Sequence, residues 1–519
     1  MTLIAVFASY AQRPLNPPGR AAALSRALSR ARGRRPALAA LLAALALAGC
    51  AVGPDYQRPQ APVPAAFKQQ DGWRTAQPGS VPSDPRWWRR YGDENLNRLV
   101  DEIDISNQNL AQAEARYRQA LALLRGAQAG HAPTLGANVS ATRSGSGGGG
   151  NGGSDYDLGG RGGGSSGTRY EASLSASWMP DIWGRVRRQV EAGRADAQAS
   201  AADLAAARLA AQSELALAYI RLRVFDRQQI LLGQTVKAYE RSLTLTRNQY
   251  EAGLAARADV VLAETQLEQV RVQLRDIDWQ RAQQENAIAV LAGRTPSTFS
   301  LPPDGSLPTL PEIPPVLPAT LLERRPDVAS AERAVAAANA RIGVATAAWF
   351  PDLTLSVSGG LQSGSFSDFI SAPYRVWSLG PALAATLFDG GLRRANLDQA
   401  DAAYDEQVAR YRQTVLDALR ETEDALVLLR VLRIEIAQQR RVVALAEENE
   451  NLVTNRYREG LVSFLEVATA QNTTLQARRS LLDLLGTQLQ ATVQLTAALG
   501  GGWDGDLSPA VTETHGQDG

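Results

Sequence analysis

The side chains best equipped for catalysis are scarce in this chain. Its 519 residues include two histidines, His131 and His515, and one cysteine, Cys50. Histidines that far apart do not build a metal cluster within one chain, and a lone cysteine excludes a disulfide framework and any multi-cysteine metal site. Serine, aspartate and glutamate are common, but with no further histidine among them no nucleophile–base–acid triad is suggested. The Gly147–Gly150 run sits where a hairpin tip is expected, not at a strand-to-helix turn, so it is no phosphate cradle. The net charge of +1 supplies no field to draw in nucleic acid. Lys68 and Lys237 are the only lysines in an arginine- and alanine-rich chain, which points to coding bias and not to phosphate recognition. The chain is expected not to be an enzyme and to need no cofactor.

Cys50 does have a setting that suggests chemistry. A basic stretch containing Arg20, Arg26, Arg30, Arg32, Arg34 and Arg35 precedes an apolar run from Ala37 to Ala48. That run is too short to span a bilayer permanently and has the shape of a secretory signal. Leu47-Ala48-Gly49-Cys50 looks like a bacterial lipobox, which implies a mature chain that begins at Cys50 carrying S-diacylglycerol and N-acyl groups. Ala51 in place of an aspartate favours, by the same resemblance, sorting to the outer membrane. The alternative is an ordinary signal peptide with an incidental cysteine. Residues 1–49 are thus expected to be a lipoprotein signal peptide, and 50–85, rich in proline, glutamine and glycine, an extended tether.

The rest of the chain is written twice. A shift of 207 positions lays Gly184 on Gly391, Arg187 on Arg394, Tyr250 on Tyr457, Gly253 on Gly460 and Gly293 on Gly500. One register kept over so long a stretch is a duplication. The first repeat is 86–294 and the second 326–502, joined by a proline-rich connector, 295–325, and followed by a tail, 503–519. No proline falls between Pro180 and Pro296 or between Pro381 and Pro509, so 181–250 and 389–457 read as uninterrupted long helices, with return helices at 257–292 and 463–499. Gly253 and Gly460 mark the turns. Each repeat opens with a helix; the first, from Asp93 to Gly130, has apolar residues at helical spacing from Leu96 to Leu124, with Asp93 or Asn95 as its cap.

Between the opening helix and the long helix the period changes from helical to two. Leu135, Ala137 and Val139 alternate with Gly136, Asn138 and Ser140. Tyr170, Ala172, Leu174, Ala176 and Trp178 alternate with Glu171, Ser173, Ser175 and Ser177. This predicts a hairpin over 134–178, and the same grammar predicts another over 352–388. Strands of about ten residues with one apolar face have transmembrane length, but four cannot close a barrel, and open edges are not tolerated in lipid. Several chains must therefore share one barrel. A lipid-anchored soluble coiled coil is the competing reading, and it leaves the matched hairpins unexplained. The expected fold class is mainly α with a transmembrane β-barrel: four strands per protomer, a long α-helical barrel and an internal repeat.

The lipobox, Val52-Gly53-Pro54-Asp55-Tyr56, Trp87-Trp88, Asp181-Ile182-Trp183-Gly184, Arg325-Pro326-Asp327, Phe350-Pro351, Asn455-Arg456-Tyr457-Arg458-Glu459-Gly460 and Ala498-Leu499-Gly500-Gly501-Gly502-Trp503 together resemble the outer membrane factor family, in its lipoprotein branch. The resemblance covers nearly all of Cys50 to Trp503. It implies a homotrimer with a twelve-stranded barrel in outer-membrane lipid, continuous with a periplasmic helical tunnel. It also implies docking to a periplasmic membrane-fusion (adaptor) protein and to an inner-membrane pump of the RND type, with drugs, toxic compounds or metal ions as cargo. An exit duct for type I protein secretion or polysaccharide export is the alternative, since a tunnel does not itself discriminate among cargoes. Arg456 and Tyr457 match the family's periplasmic aperture residues. The aspartate that relatives carry nearby is Thr469 here; Asp259 and Glu466, at matching positions in the two repeats, are the candidate acidic replacements.

Overall fold

The computed structural model describes residues 52–61, 63–64, 67–68, 86–145, 166–311, 324–371 and 373–507. The leader, Cys50, the glycine-rich hairpin tip and the end of the tail lie outside the described residues. The helical run from Asp93 to Gly130 is two helices and not one: α1 (Glu94–Ser106) and α2 (Gln108–Ala129), divided at Asn107. Asp93 caps α1, its carboxylate accepting from the Leu96 N–H at 3.0 Å. Asn107 caps α2 in the same way, accepting from the Leu110 N–H at 3.0 Å. Its apolar neighbours keep helical spacing across the break, so only the cap reveals it.

Strands β1 (Thr134–Gly145) and β2 (Ser166–Trp178) follow, then α3 (Arg185–Glu251), of 67 residues, and the return helix α4 (Arg257–Leu291), of 35. The second series is α5 (Pro326–Ala347), β3 (Asp352–Ser363), a short α6 (Phe366–Ser371), β4 (Tyr374–Ala384), α7 (Leu392–Arg458) and α8 (Phe464–Ala498). Helix α7 again has 67 residues and α8 again 35. At 1.5 Å per residue a 67-residue helix runs roughly 100 Å. Helix α6, between β3 and β4, was not expected from the sequence; Phe366 and Phe369 on it meet the Tyr170 ring, at centroid distances of 5.6 and 6.3 Å.

The helices pack side by side as one layer of neighbours. Helix α3 packs against α2 and α5, then against α4 and α8; α7 packs against α5 and α8. Order across the layer is therefore α2 and α4 in one row, α3, then α5 and α8 in one row, then α7. Within a row, two short helices abut end to end. Asn107 donates from Nδ2 to the Leu291 carbonyl at 2.7 Å, and Ser106 from its hydroxyl to the Ala292 carbonyl at 2.7 Å. In the other row Arg325 donates from Nη1 to the Ala498 carbonyl at 3.3 Å. Each splice thus satisfies helix C-terminal carbonyls that would otherwise lack partners. Glycine is required at both: a Cβ on Gly293 would lie 2.2 Å from the Ser106 carbonyl oxygen, and one on Gly500 2.1 Å from that of Arg324.

Around the first splice lies the largest apolar core, which includes Trp87, Trp88, Leu99, Ile103, Leu215, Tyr219 and Ile288. Beside it sits a buried charge cluster. Asp226, 1% exposed, accepts from Arg223 at 2.9 Å and from Arg281 at 2.7 Å. Arg223 and Arg281 also donate to the Pro302 and Leu301 carbonyls, at 3.1 and 2.6 Å. These bonds fasten the start of the connector to α3 and α4.

The sheet is antiparallel in the order β1-β2-β3-β4. Its register stacks Val139 on Ala172 and Leu361, and Ala176 on Val357 and Leu379, so one face is apolar across all four strands. The opposite face carries Asn138, Ser173, Ser175, Ser356, Ser358 and Ser378, and the Ser358 and Ser378 hydroxyls lie 2.9 Å apart. Leu135, Val139, Trp377, Leu379 and Leu383 are each at least 70% exposed. Among the described residues only α6, through Phe366 and Phe369 against Tyr170, packs on the apolar face, and β1 and β4 each leave one edge unpaired.

The segment after Cys50 is extended but not free. Val52 donates to the Trp183 carbonyl at 3.2 Å. Buried Arg188 donates to the Val52 and Gly53 carbonyls, at 3.3 and 3.2 Å, and pairs with Asp55 at 2.9 Å. Gly53, at φ +95°, presses on Gly343 so closely that a Cβ would lie 2.4 Å from its Cα. Asn339 donates to the Pro54 carbonyl at 3.0 Å, the Tyr56 hydroxyl bonds Glu332, and Phe67 is buried against Leu426 and Leu429. Composition suggests an extended tether; in the structure long-range bonds also pin its described residues along α5 and α7.

Candidate functional site

The two turns that end α3 and α7 are built alike. Gly253 and Gly460 adopt left-handed conformations, φ +72° and +75°. Leu254 donates back to the Gln249 carbonyl at 2.8 Å, and Leu461 to that of Arg456 at 2.9 Å. These are Schellman closures, which spend the last carbonyls of each long helix and reverse the chain within a few residues. Leu254 and Leu461, 80% and 64% exposed, stand at the two turn tips.

Tyr457 is not a surface residue of its turn. It is 6% exposed, its ring meets Phe464 edge-on at 5.6 Å, and its hydroxyl lies 3.2 Å from that of Thr246 on α3. It belongs to the core that includes Leu243, Val260, Leu267, Val467 and Ala468, which joins the α3–α4 hairpin to the α7–α8 hairpin. Burial pushes its phenol pKa upward, the Thr246 bond opposes that, and the nearby Asp259 carboxylate adds to the rise. The matching tyrosine of the first repeat, Tyr250, is 43% exposed. Two tyrosines in register therefore have different roles: one bolts the hairpins together, the other stands in solvent.

The neighbouring charges are arranged as follows. Arg456 is exposed, and among the described residues its guanidinium has no hydrogen bond or ion pair. Asp259, in the first turn of α4, accepts from the Ala256 N–H at 3.2 Å and so serves its own helix start. Glu466, at the matching place in α8, is exposed and makes no side-chain bond among the described residues. Thr469 is exposed and donates to the Leu465 carbonyl at 2.8 Å, a local back-bond that leaves no charge at that position. Within one protomer the structure brings Tyr457 near Asp259 but pairs Arg456 with neither acid. Thr246 and Phe464 are contacts that sequence reasoning missed. Thr246 has no counterpart in the second repeat, where Val453 takes its place.

Among the described residues no group of three or more His, Cys, Asp or Glu side chains is placed to hold a metal ion. No described helix is long and apolar enough to cross a membrane.

The sequence model of the outer membrane efflux protein family matches residues 99–294 and 317–501. The chain is 31% identical over 471 residues to the toluene efflux pump outer membrane protein TtgC of Pseudomonas putida, covering 90% of this chain and 95% of that one. It is 30% identical over 465 residues to the cation efflux system protein CusC of Escherichia coli, covering 89% and 97%. Among solved structures, the outer-membrane channel OprN superposes with a TM-score of 0.78 at 30% identity, over 88% of this chain and all of that one.

Proposed function

Because the chain belongs to the outer membrane efflux protein family, we infer that it is the outer-membrane exit duct of a tripartite efflux system, passing toxic organic compounds, drugs or metal ions to the cell exterior. It is a channel component and not an enzyme. The observation that carries the reading is the four-stranded sheet, apolar on one face and serine-lined on the other, with both edges open. Such a sheet is stable in lipid only if other chains pair its edges, apolar side outward and hydroxyl side toward water. The helical layer has the same incompleteness, ending in α2 and α4 on one flank and α7 on the other. Exposed apolar residues stand on both flanks, Val272 and Trp279 on α4 and Ile434, Leu445 and Leu452 on α7.

Two different flanks meeting between identical copies make a heterologous interface, which gives a ring when its rotation closes. A homotrimer with a twelve-stranded barrel above a twelve-helix tunnel is the assembly proposed. The internal repeat, 86–294 and 326–502, supplies two similar staves per protomer, a reading supported by the equal lengths of α3 and α7 and of α4 and α8. An adaptor and an inner-membrane pump of the RND type are proposed as partners at the turn tips. Arg456 and Tyr457 are proposed to line the periplasmic aperture, with Asp259 and Glu466 as acids near it in place of an aspartate at Thr469.

Lipidation at Cys50 is proposed as a second attachment. It is supported by the bond from Val52 to Trp183, at the junction of β2 and α3, which ties the mature start to the membrane end of the helices. The mass of the mature N-terminal peptide tests it: an unmodified cysteine, or a start elsewhere, contradicts it. The duct reading is tested by the susceptibility of a deletion strain to dyes, antibiotics, toluene and metal salts. Sensitivity to some of these, restored by the intact gene, is expected; unchanged susceptibility to all of them with lost export of a protein or polysaccharide would overturn it.

A further inference from the structure

The second splice, where α8 ends and α5 begins, leaves a gap between the two long helices. Small residues line it on each side, Ala206 and Ala210 on α3 and Ala425 on α7, with Ala497 on α8. The result is a mainly apolar cavity of about 580 Å³, within the size range of small-molecule pockets. Leu217, Leu428 and Val493 extend its hydrocarbon lining. Every charged group in the described lining is already paired. Arg325 bonds Asp327 at 2.6 Å and Glu421 at 2.7 Å, and Arg420 meets Asp424 at 3.4 Å. The cavity therefore offers no free charge to an ion.

An independent observation points to a ligand. Ser213, 9% exposed, lines this cavity, and among the described residues its buried hydroxyl has no hydrogen-bond partner. Helical hydroxyls elsewhere in the chain bond back to the carbonyl four residues earlier, as Thr235 does to Leu231 at 2.9 Å; Ser213 does not. A buried hydroxyl ordinarily has a partner, because burial strips its hydration and must return a bond. Water is a poor occupant here. It needs about two to four polar partners, and the α3 residues that line the cavity on either side of Ser213, Ala210 and Leu217, are apolar.

We propose that this cavity binds a neutral, mainly hydrocarbon molecule carrying one hydrogen-bonding oxygen, a phenol being the simplest case. The hydrocarbon displaces water from the aliphatic walls, and the ligand's hydroxyl supplies the partner that Ser213 lacks. A charged ligand would lose hydration without finding a counter-charge, and a pure hydrocarbon would leave Ser213 unpaired. A peptide segment would bring in backbone amides that these walls do not satisfy, so a small molecule is the better occupant. The site lies well along α7 from Arg456 and Tyr457, within one protomer, and it does not rest on the duct reading.

The test is photolabelling of the full-length protein, extracted in a neutral detergent, with para-hydroxybenzophenone, and with benzophenone as the probe that lacks the hydroxyl. Labelling by the hydroxylated probe is expected to saturate and to yield to excess para-phenylphenol. It should map by peptide mass spectrometry to 209–221 on α3 and 421–430 on α7, the tryptic fragments that line the cavity. Ser213→Ala should raise its half-saturation about fivefold and leave that of benzophenone unchanged. Ala210→Phe, whose ring fills the cavity, should abolish labelling of these fragments by both probes, with circular dichroism and oligomer size unchanged. Labelling that does not saturate or scatters over other fragments, equal half-saturation for the two probes, or no effect of Ser213→Ala would overturn the proposal. Failed labelling beside an intact oligomer would leave the duct reading standing.

Discussion

The side-chain amide of Asn107 donates to the carbonyl of Leu291 across 2.7 Å, joining the start of α2 to the end of α4 although 184 positions separate them. The same side chain caps α2 through its oxygen, so one residue satisfies orphan groups of two helices. Asn107→Ala loses both bonds and leaves the buried Leu291 carbonyl unpaired. It should cost about 2 kcal/mol, read as a lower midpoint in thermal unfolding followed by circular dichroism. Asn107→Asp should recover the cap but not the bond to Leu291, and so fall between.

The glycines divide into two kinds. Gly500, at φ +92°, has the Arg324 carbonyl oxygen where a Cβ would go, whereas Gly253, at φ +72°, faces open space. Gly253→Ala should cost only the left-handed backbone penalty, about 1–2 kcal/mol. Gly500→Ala adds a clash with backbone that has nowhere to move, and should abolish accumulation of folded protein. Comparable yields of the two variants in outer-membrane fractions would show that the second splice is not tight.

Acid should loosen the start of α7. The Arg393 guanidinium at 2.6 Å, helped by the Gly391 and Arg393 backbone amides, holds the Asp389 carboxyl below its ordinary value of 3.8. A carboxylate whose folded pKa is depressed binds fewer protons folded than unfolded. Its contribution is therefore complete above about pH 4 and is lost as pH falls through the lower folded value. Asp389→Asn should lower the unfolding midpoint at pH 7 by an amount that shrinks below pH 4. A difference that stays constant down to pH 3 would contradict this.

At the proposed aperture, stability and conduction should separate. Arg456 has no partner among the described residues, so Arg456→Ala should leave the unfolding midpoint nearly unchanged, within about 0.5 kcal/mol, while raising single-channel conductance. Tyr457→Ala opens a cavity between the two helical hairpins, worth about 3–5 kcal/mol, and should both destabilise and leak. Tyr457→Phe, which loses only the 3.2 Å contact to Thr246, should leak least. If none conducts more than the parent, the aperture lies elsewhere.

What was legible in the sequence was local. Alternation around Leu135 and Leu174 reads as strands because a pleat repeats every two residues, and Gly253 and Gly460 read as turns because only glycine sits easily at positive φ. The break at Asn107 was not legible: Ile103 and Leu110 keep helical spacing across it, and the Leu291 carbonyl that accepts from the Asn107 amide lies 184 positions away. The pinned course of Val52–Phe67 was equally hidden, since Arg188 and Glu332 act on it from more than 130 and 270 positions away. Resemblance singled out Tyr457, but its burial comes from the core it shares with Leu243, Val260 and Phe464 on three other helices, and its hydroxyl partner Thr246 is one that the repeat does not duplicate.

The central claim is that the open flanks of sheet and helices are closed by further copies of the same chain. Native mass spectrometry of the detergent-extracted, unboiled protein tests it most directly. A single species of three chains is predicted, dissociating to one chain only on boiling. A monomer that keeps its helical circular dichroism and remains soluble would contradict the account.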